Sequence, residues 1–429
     1  MKKLISIFLV LSNILVLTAC GGQKTGDGLG GFAPTLDPET ECSITIAGSY
    51  ENFEALEAEF DRFNEIYPNV ELKYVKFDDY NNILPKVLES DDRPDIFFTY
   101  TWMIGNDKYD SIFTHTEDLS DPSVNLNLDC IRSGLIDHDK DGHVNMVPVF
   151  SRSYGILVNN DLFEKEGISV PVTWDGLLDA CKQFKDKGYK NPMMGYSLKS
   201  SGCLMYIVAY PMFAATLAEN PDALSLANDL DPKAGEYMRP ALEAVDQLVN
   251  SGCIDINECD KIEDNYTEVI LRFFEGDVPM MICNGDTVSG TRKREGKSES
   301  FSASPFEYTF MPIPLTSEGG YFIDSPSIEF SVNKDSSELE MTNEFMRFLI
   351  TNDELEQMAS VKRLVPPTND FSFDSVYAPF GQVPSERIIS PEVLGITDAL
   401  TVQIKEASFG VGKGQFSIDD AISMYGSFE

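Results

Sequence analysis

Apolar positions between residues 44 and 98 alternate between two spacings. A short apolar run at residues 44–47 predicts a buried strand. The apolar residues after it recur every three or four positions, as in an amphipathic helix: Phe53, Leu56, Phe60, Phe63 and Tyr67. Pro68 ends that helix, and the pattern repeats with strands at 70–77 and 94–98 and a helix at 79–88. This order predicts a parallel sheet with helices on both faces.

Aromatic and hydroxyl residues follow two of these strands. Ser49 and Tyr50 come after the first strand, and Tyr100 and Trp102 come after the third. In open α/β sheets the ligand lies beyond the carboxyl ends of the strands. An indole face stacks on the apolar face of a sugar ring, and a phenol offers both stacking and a hydrogen bond. We therefore expect these residues at a ligand site, with a packed loop aromatic as the alternative for Trp102.

Two apolar segments, 147–149 and 155–158, are separated by a short polar and aromatic stretch that ends at Tyr154. Two strands with a polar interruption predict a passage of the chain from one domain to another. Asn159 is placed to cap the helix that follows, and Gly167 to end it. Helical spacing farther on predicts a second, mostly helical domain, with helices at 174–187, 200–217 and 239–250.

Residues 159–178 resemble the pattern YN-x-x-LF-x-x-x-G-(I/L)-x-x-P-x-TW-(D/E)-x-(L/F), with Val158 in place of the usual Tyr. Further segments are similar to motifs of the same family, in the same order: 94–97, 273–282, 308–314 and 365–368. On these motifs the chain resembles the extracellular solute-binding proteins of ABC importers, the family 1 group similar to the maltodextrin-binding protein. The resemblance covers nearly all of the chain beyond its targeting segment.

The resemblance implies a two-lobe α/β fold of the type II periplasmic-binding-protein-like class, with parallel-type sheets, flanking helices and three crossing segments. The lobe boundaries that it suggests are 42–150 and 279–325 for lobe one, and 151–278 and 326–429 for lobe two. It also points to Asp286, just after the 273–282 motif, as a ligand-facing residue, and Tyr321 falls in a predicted crossing. A carboxylate accepts two sugar hydroxyls, although Asp286 has turn capping as its alternative role.

The N-terminal residues have the features of a lipoprotein signal. Residues 1–19 combine a basic end, an apolar core and small residues before Cys20, which predicts cleavage there and lipidation of the Cys20 sulfur. Residues 20–41 are rich in Gly and polar residues and predict a flexible tether. We therefore expect a protein anchored by lipid to the outer face of the plasma membrane, at the cell surface or in a periplasm.

Charge and cysteine content limit the partners and the compartment. The formal net charge is −37, which repels nucleic-acid phosphates and anionic headgroups, so no nucleic-acid partner is expected. There are eight cysteines, and lipidation of Cys20 leaves an odd number. Cys253 and Cys259 are near enough in sequence to suggest a disulfide, with buried free thiols as the alternative.

One acidic loop is a candidate metal site. Asp137, Asp139 and Asp141 match the start of a calcium loop, but Pro148 stands where such a loop has its bidentate Glu. An ordinary exposed turn is the alternative. None of the three His has zinc or catalytic spacing, and no GxSxG, HExxH or SxxK motif occurs. We expect neither enzymatic activity nor a cofactor.

The function implied by the resemblance is that of a monomeric receptor. It captures a small solute, a carbohydrate such as an oligosaccharide or glycoside, and delivers it to an ABC permease in the membrane. A polyamine is the alternative solute if the cleft is acidic and poor in aromatic residues. A surface sensor or adhesin without transport is a second alternative, and an enzyme acting on saccharides, with a carboxylate pair at a defined separation, is a third.

Overall fold

A computed structural model describes residues 31–195, 204–262 and 266–428. Two main sheets organise it. The strands are β1 (Cys42–Gly48), β2 (Val70–Lys76), β3 (Ile96–Thr99), β4 (Val147–Arg152), β5 (Tyr154–Asn159), β6 (Met193–Met194), β7 (Met280–Asn284), β8 (Tyr308–Met311), β9 (Phe322–Ile323), β10 (Ser325–Val332) and β11 (Ile388–Ile389). The five-stranded sheet has the order β2-β1-β3-β10-β4, the four-stranded sheet has the order β6-β7-β5-β8, and β9 pairs with β11.

Helices cover both sheets. The first group is α1 (Glu54–Asn64), α2 (Tyr80–Leu88), α3 (Asp110–Phe113), α4 (Asn160–Glu166), α5 (Trp174–Asp186), α6 (Leu204–Ala218), α7 (Pro221–Asn228), α8 (Arg239–Asn250) and α9 (Ile256–Cys259). The second group is α10 (Tyr266–Phe273), α11 (Gly285–Ser289), α12 (Thr291–Glu295), α13 (Glu299–Ala303), α14 (Leu339–Leu349), α15 (Asn352–Lys362), α16 (Pro391–Leu394), α17 (Asp398–Gly412) and α18 (Ile418–Ser423). No helix in the described ranges is long and apolar enough to cross a bilayer.

The predicted parallel pairing is confirmed for the first three strands of the five-stranded sheet, whereas β10 pairs antiparallel with both β3 and β4. β1 pairs in parallel with both β2 and β3, and the apolar stripe of α1 is buried against them. Both predicted ends of α4 are also confirmed. The Asn159 side chain caps the helix by accepting a hydrogen bond from the Leu162 amide, and Gly167 ends it at φ +66°. Local capping and periodicity therefore account for these elements.

Two separate apolar cores define the lobes. The core of lobe one takes its buried residues from the segments 32–150 and 328–364, and that of lobe two from 154–323 and 365–425. The chain therefore passes between the lobes near Ser153, near Asp324 and between Leu364 and Val365. These are the three crossings of a two-lobe fold.

The expected lobe boundaries are wrong for residues 279–364, whereas residues 365–425 contribute to the core of lobe two as expected. Residues 279–325 were assigned to lobe one, but β7 and β8 both pair antiparallel with β5 in the sheet of lobe two. Conversely, β10 joins the sheet of lobe one between β3 and β4. Helix α14 also packs on lobe one, where the Phe345 ring lies 5.1 Å from that of Phe63. Strands β7 and β8, within residues 280–311, therefore belong to lobe two because of their backbone pairing. Residues 325–362 belong to lobe one because of the pairing of β10 and the aromatic packing of α14.

The segment before β1 was expected to be a flexible tether as far as residue 41, but its described part is docked on lobe one. Phe32 is buried and meets the Phe348 ring edge-on at 5.6 Å between centroids. The Thr35 amide and hydroxyl donate to the two carboxylate oxygens of Glu344, at 2.6 and 2.7 Å. The signal peptide and Cys20 lie outside the described residues.

The expected disulfide is wrong as well. All cysteines in the described ranges are free thiols: Cys42, Cys130, Cys181, Cys253, Cys259 and Cys283. Asp255 caps α9, so Cys259 lies at the far end of that helical turn, while the Ser251 hydroxyl donates to the Cys253 sulfur at 3.0 Å. The alternative, buried thiols, holds for five of these six residues, and Cys42 is partly exposed.

The docking of Phe32 predicts a stability cost for its removal. We expect Phe32→Ala to lower the free energy of unfolding by about 3 kcal/mol, since a buried ring is deleted and a cavity is left. Val172→Ala is the control, because Val172 is 71% exposed and its truncation is expected to change stability by less than about 0.5 kcal/mol. Urea denaturation of both variants measures the difference. Equal midpoints for Phe32→Ala and the parent protein would contradict the docking.

A buried carboxyl pair between α1 and α15 predicts a pH dependence of stability. Glu59 and Glu354 are fully buried beside Arg62, whose Nη2 lies 2.5 Å from Glu354 Oε1. Burial, and then the neighbouring Glu354, raise the pKa of Glu59. The folded state therefore holds a proton that the unfolded chain has released, so this pair contributes less stability as the pH rises above the pKa of the unfolded side chain.

Glu59→Gln keeps the shape of the protonated side chain without its titration. We expect the variant to raise Tm by about 2–4 °C more at pH 8.5 than at pH 5. Glu57→Gln, on the exposed face of the same helix, is expected to show no such difference. Thermal melts of the three proteins at both pH values test this, and a Glu59→Gln effect that does not vary with pH would contradict it.

Candidate functional site

A cleft of about 830 Å³ lies between the lobes. Lobe one contributes the loop after β3 and the first half of β10, and lobe two contributes α6 and the segment around α16 and the start of α17. The crossing at Arg152 and Tyr154 lines the cleft between them. A cavity bounded by both lobes and by a crossing is the place where a change in lobe orientation changes access to a ligand.

Two predicted aromatic residues form a stacked pair on the lobe-one side. The rings of Tyr100 and Trp102 lie 5.6 Å apart at an interplanar angle of 15°, and the edge of Tyr109 supports Trp102 at 5.2 Å. The Tyr100 and Ser49 hydroxyls are 3.2 Å apart. The strand β3 ends at Thr99 and a 3₁₀ turn at Thr101–Met103 follows, so both rings reach the cleft. The rule that placed them beyond a strand end holds here.

Tyr154 lies on the opposite side. It is the first residue of β5, it lines the cleft, and its ring meets Tyr210 of α6 at 5.7 Å in an edge-on arrangement. Tyr210 was not predicted as a site residue, because the surrounding helix is apolar on all sides and hides which residue faces the cleft. The two tyrosines give lobe two an aromatic surface of its own in the cleft.

Asp286 supports the cleft from behind. It is not among the lining residues, but its carboxylate accepts a hydrogen bond from Arg152 Nη1 at 2.7 Å and another from the Ser327 hydroxyl at 2.7 Å. Arg152 and Ser327 both line the cleft. Asp286 thus joins α11 to β4 and β10 and holds the Arg152 guanidinium in place.

Three further predicted residues, Ser49, Tyr50 and Tyr321, do not line this cleft. Tyr50 packs in the aromatic cluster of lobe one, because its backbone amide and carbonyl both hydrogen-bond to the Tyr74 hydroxyl, at 2.9 and 3.0 Å. Lys362 Nζ lies 4.6 Å from the centre of the Tyr50 ring. Tyr321 lines a smaller depression of about 270 Å³ on lobe two, beside Glu219 and Ile388. Neither tyrosine lines the cavity that holds the other aromatic residues.

Acidic residues are the largest group that the sequence analysis missed at the cleft. The lining includes five carboxyl side chains and a single basic one, Arg152; the acids are Asp107, Asp137, Glu329, Glu392 and Asp398. Burial raises the pKa of Glu329 to about 8, an effect that a hydrogen bond from Thr101 partly offsets. Burial likewise raises the pKa of Glu392 to about 8, and it raises the pKa values of Asp137 and Asp398.

The alternation of polar and apolar residues along β10 could have identified Glu329 as a site residue from the sequence. Along SPSIEFSV, apolar residues alternate with Ser325, Ser327, Glu329 and Ser331. Successive side chains of a strand point to opposite faces, so one face of β10 is polar although the whole strand is buried. The first three of these polar residues line the cleft. A buried strand with one polar face is a site signal that does not depend on any motif.

The candidate calcium loop forms a turn. Asp139 Oδ1 accepts hydrogen bonds from the amides of Asp141 and His143, at 2.8 and 2.9 Å, and these bonds help to lower the pKa of Asp139 to about 2. Gly142 has φ +87°, which favours glycine. Asp137 faces the cleft instead. Within the described part of the chain, no group of three or more His, Cys, Asp and Glu side chains is arranged to hold a metal ion.

The two lobes, three crossings and intervening cleft define a binding protein of the periplasmic-binding-protein-like class. Residues 58–378 match the family described as bacterial extracellular solute-binding protein. The chain belongs to this family, which confirms the resemblance found in its motifs. No curated protein sequence matches the chain.

Solved structures share the fold at low sequence identity. RafE from Streptococcus pneumoniae in its apo form is 18% identical, with a TM-score of 0.66 over 91% of this chain and 98% of that one. A sugar transporter protein from Bacillus licheniformis in complex with stachyose is 17% identical, with a TM-score of 0.62 over 90% and 99%. The GacH receptor of Streptomyces glaucescens, solved unliganded and with acarbose, is 17% identical, with a TM-score of 0.65 over 90% and 97%.

The link between Asp286 and Arg152 predicts a cost for breaking it. Asp286→Asn keeps the size of the side chain but removes the charge opposite a partly buried guanidinium, and we expect a loss of about 1.5–3 kcal/mol in the free energy of unfolding. Asp419→Asn is the matched control, because Asp419 pairs with Arg239 while its own side chain is 83% exposed, and we expect a change of less than about 1 kcal/mol. Urea titrations compare the two variants, and equal losses would contradict a special role for Asp286.

Proposed function

We propose that this protein is a lipid-anchored receptor that captures a carbohydrate between its lobes and delivers it to an ABC permease. Its membership of the extracellular solute-binding family supports solute capture outside the cytoplasm. The proposed class of ligand is taken from proteins of the same fold. RafE has been solved with raffinose, and other structural neighbours have been solved with stachyose and acarbose. The proposed ligand is an oligosaccharide or glycoside.

The observation that carries this proposal is the aromatic lining of the cleft. The stacked pair Tyr100 and Trp102 faces the cleft from lobe one, and Tyr154 and Tyr210 line it on the side of lobe two. Ring faces contact the apolar faces of sugars, and the surrounding hydroxyl and carboxyl groups hydrogen-bond to sugar hydroxyls. Aromatic residues on both sides of one cleft favour a ligand that both lobes hold when they close.

The proposed anchor fits the position of the docked segment. If Cys20 carries the lipid, eleven residues separate it from Phe32, which is packed on lobe one. Eleven residues span at most about 40 Å when fully extended. The receptor would thus remain within about one domain diameter of the membrane, which suits delivery to a permease in that membrane.

A ligand panel tests the carbohydrate assignment. We expect the Tm of the purified protein to rise with one class of mono- or oligosaccharide, because a ligand that binds only the folded state stabilises it. Trp102→Ala is expected to weaken that ligand about tenfold, since a stacking contact of about 1–2 kcal/mol is lost. A Tm rise with polyamines or amino acids and with no saccharide would contradict the assignment.

Trp174→Ala is the matched control for Trp102→Ala. Trp174 begins α5, and its indole N–H donates to Gln247 Oε1 at 2.8 Å, away from the cleft. This substitution is expected to lower the ligand-free Tm but to leave the sugar-induced rise unchanged. Loss of the rise in both variants would mean that Trp102 acts through stability and not through contact.

A further inference from the structure

The cleft is acidic in a way that a neutral sugar does not require. Five carboxyl side chains line it, and its one basic residue, Arg152, is already paired with Asp286. The overall charge of the protein does not explain this, because surface acids stay hydrated whereas Glu329 is buried and Glu392 is partly buried. The placement of individual oxygens in the cleft shows where the excess charge is concentrated.

Glu329 carries a buried oxygen without a partner. The residue is 1% exposed and lies on the polar face of β10 that lines the cleft. Its Oε2 accepts a hydrogen bond from the Thr101 hydroxyl at 3.0 Å, while Oε1 is buried and has no hydrogen-bond partner. A buried carboxyl oxygen left in this state costs free energy, which a donor on a bound ligand recovers.

Glu392 supplies a second such oxygen from lobe two. It belongs to α16, and its Oε2 is buried with no hydrogen-bond partner. The charged groups that act on Glu392 are Asp324, Arg152 and Asp137, and those that act on Glu329 are Glu392 and Asp137. Both residues line the same cleft, Glu329 from lobe one and Glu392 from lobe two, and the charge of Glu392 contributes to raising the pKa of Glu329.

Two other carboxylates near the cleft are paired with arginines. Arg132 holds Asp324 by two hydrogen bonds of 2.7 and 2.9 Å, and Arg152 holds Asp286. No salt bridge in the described part of the chain involves Glu329 or Glu392. Glu329 and Glu392 thus combine two features in the cleft: each has a buried oxygen without a hydrogen-bond partner, and neither has an ion-pair partner among the described residues.

We propose that Glu329 and Glu392 form a subsite for a protonated amine, so that the solute is an amino sugar or a glycoside that carries a basic nitrogen. This inference rests on the proposed function and narrows its ligand class. The ammonium group donates to the two unpaired oxygens, and the aromatic rings of the cleft hold the sugar ring and face the cation. Closure of the lobes brings both carboxylates to the amine.

The proposed subsite predicts how ligand binding depends on pH. Because the pKa values of Glu329 and Glu392 are raised, the empty cleft holds protons that a bound ammonium displaces. Below about pH 7, binding is therefore expected to tighten as the pH rises, by about tenfold per pH unit for each proton released. A neutral sugar that accepts hydrogen bonds from the protonated carboxyls shows the opposite trend.

The test compares three probes by isothermal titration calorimetry with the purified protein: the glucosamine disaccharide, its N,N′-diacetylated counterpart and spermidine. We expect the amino disaccharide to bind about tenfold or more tightly than the acetylated one, with proton release to the buffer and tighter binding at pH 7 than at pH 6. Equal or tighter binding of the acetylated disaccharide overturns the cation subsite and leaves the carbohydrate receptor standing. Binding of spermidine alone, or of no saccharide probe, overturns the amino-sugar proposal, and spermidine alone contradicts the carbohydrate assignment too.

Two variants assign the effect to the carboxyls. Glu329→Gln and Glu392→Gln are each expected to remove most of the preference for the amino disaccharide and to reduce proton release, while the acetylated disaccharide is affected less. Both are expected to fold, since they replace a buried ionisable group by a neutral one of the same shape, and the ligand-free Tm checks this. Glu164→Gln, on the exposed face of α4, is the control and is expected to bind like the parent protein. An unchanged preference in both cleft variants overturns the proposal.

Discussion

The three crossings between the lobes are held together at one short stretch of backbone, residues 151–153. Only Ser153 separates β4 of lobe one from β5 of lobe two. The Ser151 amide donates to the Val365 carbonyl at the third crossing, and Arg152 pairs with Ser325 at the second. The Ser153 carbonyl accepts from the Gly285 amide at the end of β7. Any change in lobe orientation must therefore bend this cluster of hydrogen bonds, and the cleft opens directly beside it.

The close approach of β5 and β8 restricts which residue can stand just after the crossing. A Cβ atom on Gly155 would lie 2.3 Å from the Met311 carbonyl oxygen, so only glycine allows β8 to lie against β5 immediately after the crossing. Asp286, in α11, adds a side-chain link to β4 and β10 through Arg152 and Ser327. The positions of Arg152, Tyr154 and Ser327 in the cleft thus follow from the same contacts that join the lobes.

Features whose signal is local could be predicted from the sequence. The stripe of α1, the cap at Asn159 and the strand ends before Tyr100 and Trp102 all depend on neighbours within a few residues, and the structure has them as predicted. The prediction failed where distant segments compete for the same partner. The sequence of β7 is equally suited to either sheet, and only its pairing with β5 assigns it to lobe two. The docking of Phe32 on Phe348 is likewise invisible without the fold, since more than three hundred residues separate them.

The acidic cleft is another feature that the composition of the chain does not reveal. A net charge of −37 suggests solubility and excludes some partners, but it does not distinguish a hydrated surface carboxylate from a buried one. That distinction depends on which face of a strand is covered. In β10 both faces are buried: Ile328 and Phe330 belong to the core of lobe one, whereas Ser325, Ser327 and Glu329 on the other face line the cleft. Glu329 therefore lies in a low-dielectric environment although it is not part of the apolar core. Because one of its carboxyl oxygens has no hydrogen-bond partner in the protein, we attribute its position to ligand binding and not to the stability of the fold.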